Sequence, residues 1–563
     1  MRSTSVKLVL VCAVAALVIQ GRVHSMTLQL DPGETAFIAS GGTWIVDSNT
    51  VEVKARTQAA NAVAVTIQGM AAGFNPADNT WVAEVALACG LNTITAKALN
   101  ADANTVDSNS IDVVYVPDAN HVTGTVDANT IWSGAYVMEG ALTVPAGRVL
   151  TMEPGTWILM KNGARMTVSG QLLANGTKDK PIRFTAYGNA AKWKQIMFVD
   201  ANDSRLAHCI FEYANCAGSH QDYYDPTQPR DYHEAVVLLE SHVDFDGCVF
   251  QKLVDASGKS EGDAIAVISD DLYHPGAASA NVRGCRFLSI GQGVHTRYAY
   301  VLVEDCYFQG KTGDNDDVDL YGESTPAPIV RRNLFDVPAH DDRVHPTLCS
   351  AVITENVIKG STDHGIVLRD KSSPIVTNNV IANCSSGGIA VENSCSALLK
   401  NNTIFNCPRG IRLFDLGRWD HPYHLHPGGG TATVINCVIW NCPQSVTLAD
   451  SSNTTIADRG SHITVSYCDI GGGRAGISVS GTKSTVTWGQ GNITADPLFV
   501  DPKAGDFHLQ GGSPLIDKGI MENALPTDLE GNLRPCGNGL DMGAYEFGPC
   551  LPDPNALGTG QSP

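Results

Sequence analysis

Along most of this chain, short apolar runs rich in Val, Ile and Leu break off at Gly, Asn, Asp or Ser, and no helical spacing of apolar residues recurs. That pattern predicts short strands joined by tight corners. The stretch from Pro328 to Cys407 shows it best. It reads PIVRRNLFDV, SAVITENVIKG, SPIVTNNVIAN and SALLKNNTIFN, with Asn333, Asn356, Asn379 and Asn402 recurring every 23 residues. A repeat of this length made of strand-type residues predicts a solenoid, in which each coil buries its apolar face against the next. One Asn at a fixed place in each coil predicts a ladder of side-chain amides, each bonding its neighbour.

Cysteine extends the same register. Cys209, Cys248, Cys285, Cys306, Cys437 and Cys468 each precede x-Phe or x-Ile, the place that Asn holds in the central repeats. Cys384, Cys407 and Cys442 share a second place five residues after the first. Stacked, buried thiols account for this better than bonded pairs. Cys536 and Cys550, outside the repeats, are the expected disulfide. No CxxC metal pattern occurs.

The ends have different characters. Arg2 and Lys7 precede the apolar run LVLVCAVAALVI, so residues 1–25 read as a signal peptide, and the mature chain is expected to be exported, with no transmembrane segment. Residues 26–117 alternate apolar and polar positions in segments such as TVEVKART and AVAVTIQG, which predicts a small antiparallel sandwich. The phrases CGLNTITAKA and IDVVYV within it resemble the immunoglobulin-like modules of secreted bacterial carbohydrate enzymes. From His121, GALTVPAGRVLTMEPGTWILMKNGARMTVSGQLLANGTKDKPIRF resembles the opening coils of a right-handed parallel β-helix of the pectin-lyase-like fold. That resemblance covers 121–495. ADPLFVDPKAGDFHLQGGSPLIDKG and LDMGAYEFG, within 496–548, resemble the terminal segment of secreted bacterial β-helix proteins. Asp496, Asp501, Asp517 and Asp541 there are read as turn and capping residues of a segment covering the last coil. Residues 549–563 read as a disordered tail. The fold class expected is therefore all-β.

Composition sharpens the choice of partner. The 563 residues carry a formal net charge of −20, which disfavours nucleic acid and anionic membranes. No P-loop, GxSxG or HExxH motif appears. Extra residues between rungs, GSHQDYYDPTQPRDYHE, SDDLYHPGAASA and DLGRWDHPYHLHPGGG, predict loops on a binding face. Tyr223, Tyr224, Trp419 and Tyr423 in them offer flat surfaces for sugar rings. His421, His424 and His426 offer imidazoles, the basis for considering a transition ion.

Aligning the strand that ends each coil (GDAIAV, GQGVHT, NDDVDL, DDRVHP, DHGIVL, GGIAV, RGIRL, QSVTL) isolates the candidate chemistry. Ile265, Val294, Val318, Val344, Ile366, Ile389 and Ile411 are expected to point inward. One column then holds Asp263, Gln292, Asp316, Asp342, His364, Gly387 and Arg409. A second, expected to point outward, holds Ala266, His295, Asp319, His345, Val367, Ala390 and Arg412. Stacking Asp on Asp is repulsive, and charge is otherwise sparse in the repeats, so solubility alone does not explain these columns. Three chemistries fit. Asp316, Asp319 and Asp342 could hold calcium, with Arg369 or a histidine as base in a lyase. Two aspartates could act as acid and base in glycoside hydrolysis, with His364 and Arg369 as further catalytic candidates. A structural ion with imidazole ligands is the third. Asp316-Asp317, His364-Gly365 and Arg369-Asp370-Lys371 echo the Asp-Asp, His-Gly and Arg-x-Lys motifs of polygalacturonases. The spacing departs, because Arg369 follows His364 too closely and no Asn-x-Asp strand is present. The expectation is a monomeric protein that binds polysaccharide through His295, His345, Arg409, Arg412 and the loop aromatics, with cleavage as a lyase or hydrolase left open. The alternative is a non-catalytic surface or matrix protein.

Overall fold

The computed structural model describes residues 26–31, 37–38, 43–188, 192–216, 232–255, 262–269, 276–310, 316–337, 341–416, 428–453, 459–522 and 524–548. Two compact units emerge. Among the described residues, the first contains 26–31, Ser48–Ala88 and Asn92–Val113. In it, Thr50–Arg56 pairs antiparallel with both Thr27–Asp31 and Thr80–Ala86, and Ala64–Ile67 pairs antiparallel with the segment ending at Leu99. Val51, Val53 and Ala55 are buried while Glu52 and Arg56 are exposed, the alternation of a sheet with one covered face.

The second unit is a right-handed parallel β-helix. Its parallel strands run from His121–Thr125 to Thr485–Trp488, and each regular coil contributes one strand to each of three stacked ladders. One ladder passes through Arg286–Leu288, Tyr307–Gln309 and Leu334–Asp336. Its inward residues form a stack of phenylalanines: Phe184, Phe211, Phe250, Phe287, Phe308 and Phe335 follow one another with centroids 4.6 to 5.2 Å apart and nearly parallel planes. Offset stacking adds to the large apolar area each ring buries. Further along, Ile358, Ile381, Ile404 and Ile439 take over the same place.

The residue before each rung turns the chain through the left-handed region. Gly247 and Gly284 do so with φ of 61° and 58°, and Asp305, Arg332, Glu355, Asn378, Asn401 and Asn436 follow suit. Glycine carries no steric penalty there, whereas a residue with Cβ does, so the non-glycine corners depend on the rung that follows. The rung is the amide ladder. Asn356 Oδ1 accepts from both the backbone N–H and the side-chain Nδ2 of Asn333, each at 3.0 Å, and Asn356 makes the same pair of bonds to Asn379, and Asn379 to Asn402. Where cysteine replaces asparagine the sulfur accepts instead: Asn402 N–H reaches Cys437 Sγ at 3.4 Å and Cys437 N–H reaches Cys468 Sγ at 3.3 Å. These thiols are free and buried, as the shared register implied. Cys536 is disulfide-bonded, while Cys550 lies outside the described residues.

Asn356→Ala is expected to cost about 1–3 kcal/mol, because it strips the acceptor from a buried backbone N–H. Asn356→Cys should cost clearly less, since sulfur already serves at the same rung elsewhere. Urea midpoints of the two variants check this order.

The terminal segment departs from expectation. Rather than sitting only over the last coil, it folds back along the flank of earlier coils. Phe499, Phe507, Leu509, Leu515, Met542 and Tyr545 pack on Val380, Ala382, Val438, Phe405 and Trp440. Outward-facing apolar residues on those strands need a cover, and this segment supplies it. Backbone carbonyls of Thr527 and Gly543 accept from Asn378 and Asn401 Nδ2. The four aspartates do fasten turns: Asp496 accepts from Leu498 N–H, Asp501 from Ala504 N–H, Asp517 from Gly539 N–H, and Asp541 from Asp517 and Phe547 N–H. Among the described residues, no helix is long and apolar enough to cross a membrane.

Candidate functional site

The site strands form the second ladder, through Glu234–Leu239, Asp263–Ile268, Val294–Arg297, Val318–Tyr321, Val344–Thr347, His364–Leu368, Gly387–Glu392 and Arg409–Phe414. Ile265, Val294, Val318, Val344, Ile366, Ile389 and Ile411 all join the core, as the alternation required. Register places His295 on Asp319 and Asp319 on His345, one coil apart. This row leaves the apolar core yet is not exposed: His295 is 2% and Asp319 9% accessible. Side chains on adjacent coils, about 4.8 Å apart, cover one another.

The columns meet as one charged network. His295 Nδ1 donates to Asp319 at 3.1 Å, and His345 Nδ1 donates to Asp316 Oδ2 at 2.9 Å. The same His345 nitrogen is 3.9 Å from Asp342 Oδ2, so one imidazole bridges two carboxylates. Asp342 Oδ1 accepts from the backbone N–H of His364 at 2.9 Å and lies 3.8 Å from His364 Nδ1, which is 3.1 Å from Asp363. A Cβ at Gly387 would come within 2.8 Å of the His364 ring, so glycine there seats the imidazole. Arg369 Nε donates to Glu392 at 2.8 Å.

Protonation follows from these contacts. Burial holds the Asp342 carboxyl well above the usual range, and the Asp316 charge adds to it, against smaller pulls from His345 and the His364 N–H. Burial and the Arg369 charge push His345 down, but Asp316 and Asp342 outweigh them and leave it at about 9, cationic at neutral pH. Burial would raise Asp319, yet the His295 hydrogen bond and the charges of His295 and His345 bring it below the usual range. Close approach of His364 takes Asp363 to about 2. Arg369 is held above its usual range: burial opposes this, but Glu392 and Asp342 prevail.

Three expectations change. Arg369, paired and more firmly cationic than usual, does not suit the role of base. Asp316, Asp319 and Asp342 are not gathered around one point: Asp316 and Asp319 group with His345, and Asp342 groups with Asp363 and His364. Each of these groups could hold a metal ion, with an imidazole among its donors beside the carboxylate oxygens that calcium takes. Asp317, half of the Asp-Asp echo, is not a site residue. It is 2% exposed and is engaged by the fully buried Arg343 guanidinium.

Arg409 and Arg412 lie further along the same face, in register with Gln444 and Thr447. Tyr223, Tyr224, Trp419 and Tyr423, with His421, His424 and His426, lie outside the described residues. His233 and Glu234, which end the first of the long insertions in the sequence, belong to the site face. Glu234 pairs in register with Asp263, and His233 Nε2 is 2.7 Å from Asp263 Oδ2. Carrying the strand alignment one coil earlier, to EAVVLL, finds Glu234 in the Asp263 column. Asp363, next to His364 in the chain, joins the group of Asp342 and His364.

Residues 272–419 and 339–493, two overlapping matches, fit the family described as a right handed beta helix region. No curated protein matches the chain. Among solved structures the chain is similar to PfbA, a surface adhesin of Streptococcus pneumoniae, at 12% identity over 50% of this chain and 82% of that one, with a TM-score of 0.31. It is similar to a Yersinia enterocolitica family 28 exopolygalacturonase at 11% identity over 83% and 100%, TM-score 0.25. It is also similar to the periplasmic alginate epimerase AlgG at 11% identity over 63% and 78%, TM-score 0.29.

Proposed function

We propose that this chain is an exported protein that binds polysaccharide along the side of the β-helix and hydrolyses it at Asp316 and Asp342. One observation carries the reading: a buried carboxyl held well above its usual range lies beside a second carboxylate, with a cationic imidazole bridging them. Two acids whose environments separate their protonation states are what an acid–base pair requires. Asp342 gives its proton to the glycosidic oxygen as the bond from that oxygen to the anomeric carbon breaks. Asp316, ion-paired to His345, takes a proton from the water whose oxygen bonds to that carbon. His345 holds the carboxylates in place and keeps charge balanced as the proton moves. His295 and Asp319 extend the polar wall along the polymer. Lyase chemistry fits less well, because neither cationic His345 nor Arg369 is placed to abstract a proton.

A screen of uronate-rich and neutral polysaccharides, with calcium or chelator, tests the proposal. New reducing ends without ultraviolet-absorbing products are expected, unchanged by chelation. Unsaturated products would overturn the hydrolytic chemistry. If every polymer is bound and left intact by wild type and by an Asp316→Ala/Asp342→Ala variant alike, the protein is an adhesion module instead.

A further inference from the structure

Although the chain carries a net charge of −20, one cleft on the site face is cationic. Arg409, Arg412, Phe414, Gln444, Thr447 and Ser478 help to line it, and its volume is about 250 Å³. Among the described residues neither arginine has an ion-pair partner. The acids whose charge reaches Arg412, Glu392 and Asp363, are already engaged by Arg369 and His364. Burial pushes Arg412 down, and so does the adjacent Arg409 charge, and the more distant Glu392 and Asp363 charges only partly offset them. The Arg412 guanidinium lies 3.6 Å from the centroid of the Phe414 ring, which fixes its plane. Thr447 Oγ1, on the strand alongside, is buried and makes no hydrogen bond. Two planar cations, an unused hydroxyl and an apolar platform make a seat for an oxyanion, since guanidinium groups bind such groups in a fork.

We propose that this cleft is a subsite for an anionic substituent on a saccharide, either a carboxylate or a sulfate ester. It rests on the polysaccharide reading above and narrows the substrate to an acidic polymer. Register carries Arg412 back through Ala390 and Val367 to the coil of His345. Three coils at about 4.8 Å each put it roughly 14 Å from the acid–base pair along the helix. A polymer lying along the row reaches both.

Calorimetric titration in an Asp342→Asn background, which suppresses turnover, tests this with four probes: an oligouronate, a sulfated neutral oligosaccharide, its unsulfated form and inorganic sulfate. Arg409→Gln/Arg412→Gln is expected to weaken the acidic oligosaccharide by about ten- to a hundredfold, as loss of charge-assisted bonds does, while the unsulfated one changes less than about twofold. Thr447→Val, which keeps both cations, should weaken it by less. Whichever acidic probe binds identifies the substituent. Equal affinity for acidic probes with and without the arginines overturns the subsite. So does an equal loss for the neutral one, or failure of all the acidic probes to bind. Turnover by wild type separates the two readings. A protein that cleaves but ignores the arginine changes loses only the subsite, and one that loses acidic binding without ever cleaving loses only the hydrolytic reading.

Discussion

Asp342→Asn is expected to lower kcat by about 10²- to 10⁴-fold, the range that a positioned general acid supplies. Asparagine keeps the shape and still accepts the His364 backbone N–H, so the coil should remain intact. What disappears is the proton. The sign of the pH dependence follows from the shift. Burial and the Asp316 charge raise Asp342, so its acid form persists above the usual carboxylate range, and wild-type activity should fall as pH rises through that raised value. His345, held up to about 9 by Asp316 and Asp342, is cationic at neutral pH. In Asp342→Asn the alkaline limb set by Asp342 should be missing from the small residual rate. A pH–rate profile of kcat for both proteins checks it. A variant with full activity and an unchanged alkaline limb excludes Asp342 as the acid.

Repetition explains why the fold was so legible in the sequence. A rung such as Asn356 is read from its neighbours at Asn333 and Asn379, because every coil solves the same corner and burial problem. The same reasoning recovered the columns that hold Asp316, Asp342 and His364, since a solenoid converts a sequence alignment directly into neighbourhood. It gave too little on direction and pairing. His295 and Asp319 leave the core, as alternation implied, but their burial depends on packing between coils that a one-dimensional pattern does not encode. Arg369 looked available as a base, because its partner Glu392 sits one coil later, outside any local motif. His233 and Glu234 were obscured by an insertion that interrupts the period just before their strand. The terminal segment was misplaced for a similar reason. Its long-range contacts to Asn378 and Asn401 cross more than a hundred residues, and no repeat announces them.

Arg343→Met is expected to have the largest effect on stability, about 3–5 kcal/mol, as when one partner of a buried ion pair is removed. Arg343 is wholly buried. Its guanidinium engages the Asp317 carboxylate, donates to the Gly360 carbonyl from Nε at 2.6 Å, and reaches the Asp336 carbonyl. The pair is also placed to matter for function, because Asp317 follows Asp316 and Arg343 follows Asp342 in the chain. A buried ion pair between adjacent coils is thus expected to hold the backbone that carries the Asp316 and Asp342 carboxylates. Asp317→Leu/Arg343→Met removes both charges and should recover much of the stability lost by the single change, since no charge is then left buried without its counter-charge. Coils of a solenoid lean mainly on their neighbours, so the loss should be local. Hydrogen exchange in Arg343→Met should accelerate at 316–364 and stay near wild type around Phe184 and Phe211. If the double variant regains its urea midpoint yet remains inactive, the ion pair serves to position Asp316 and Asp342 rather than to stabilise the helix. Uniform acceleration along the whole solenoid would count against that local role.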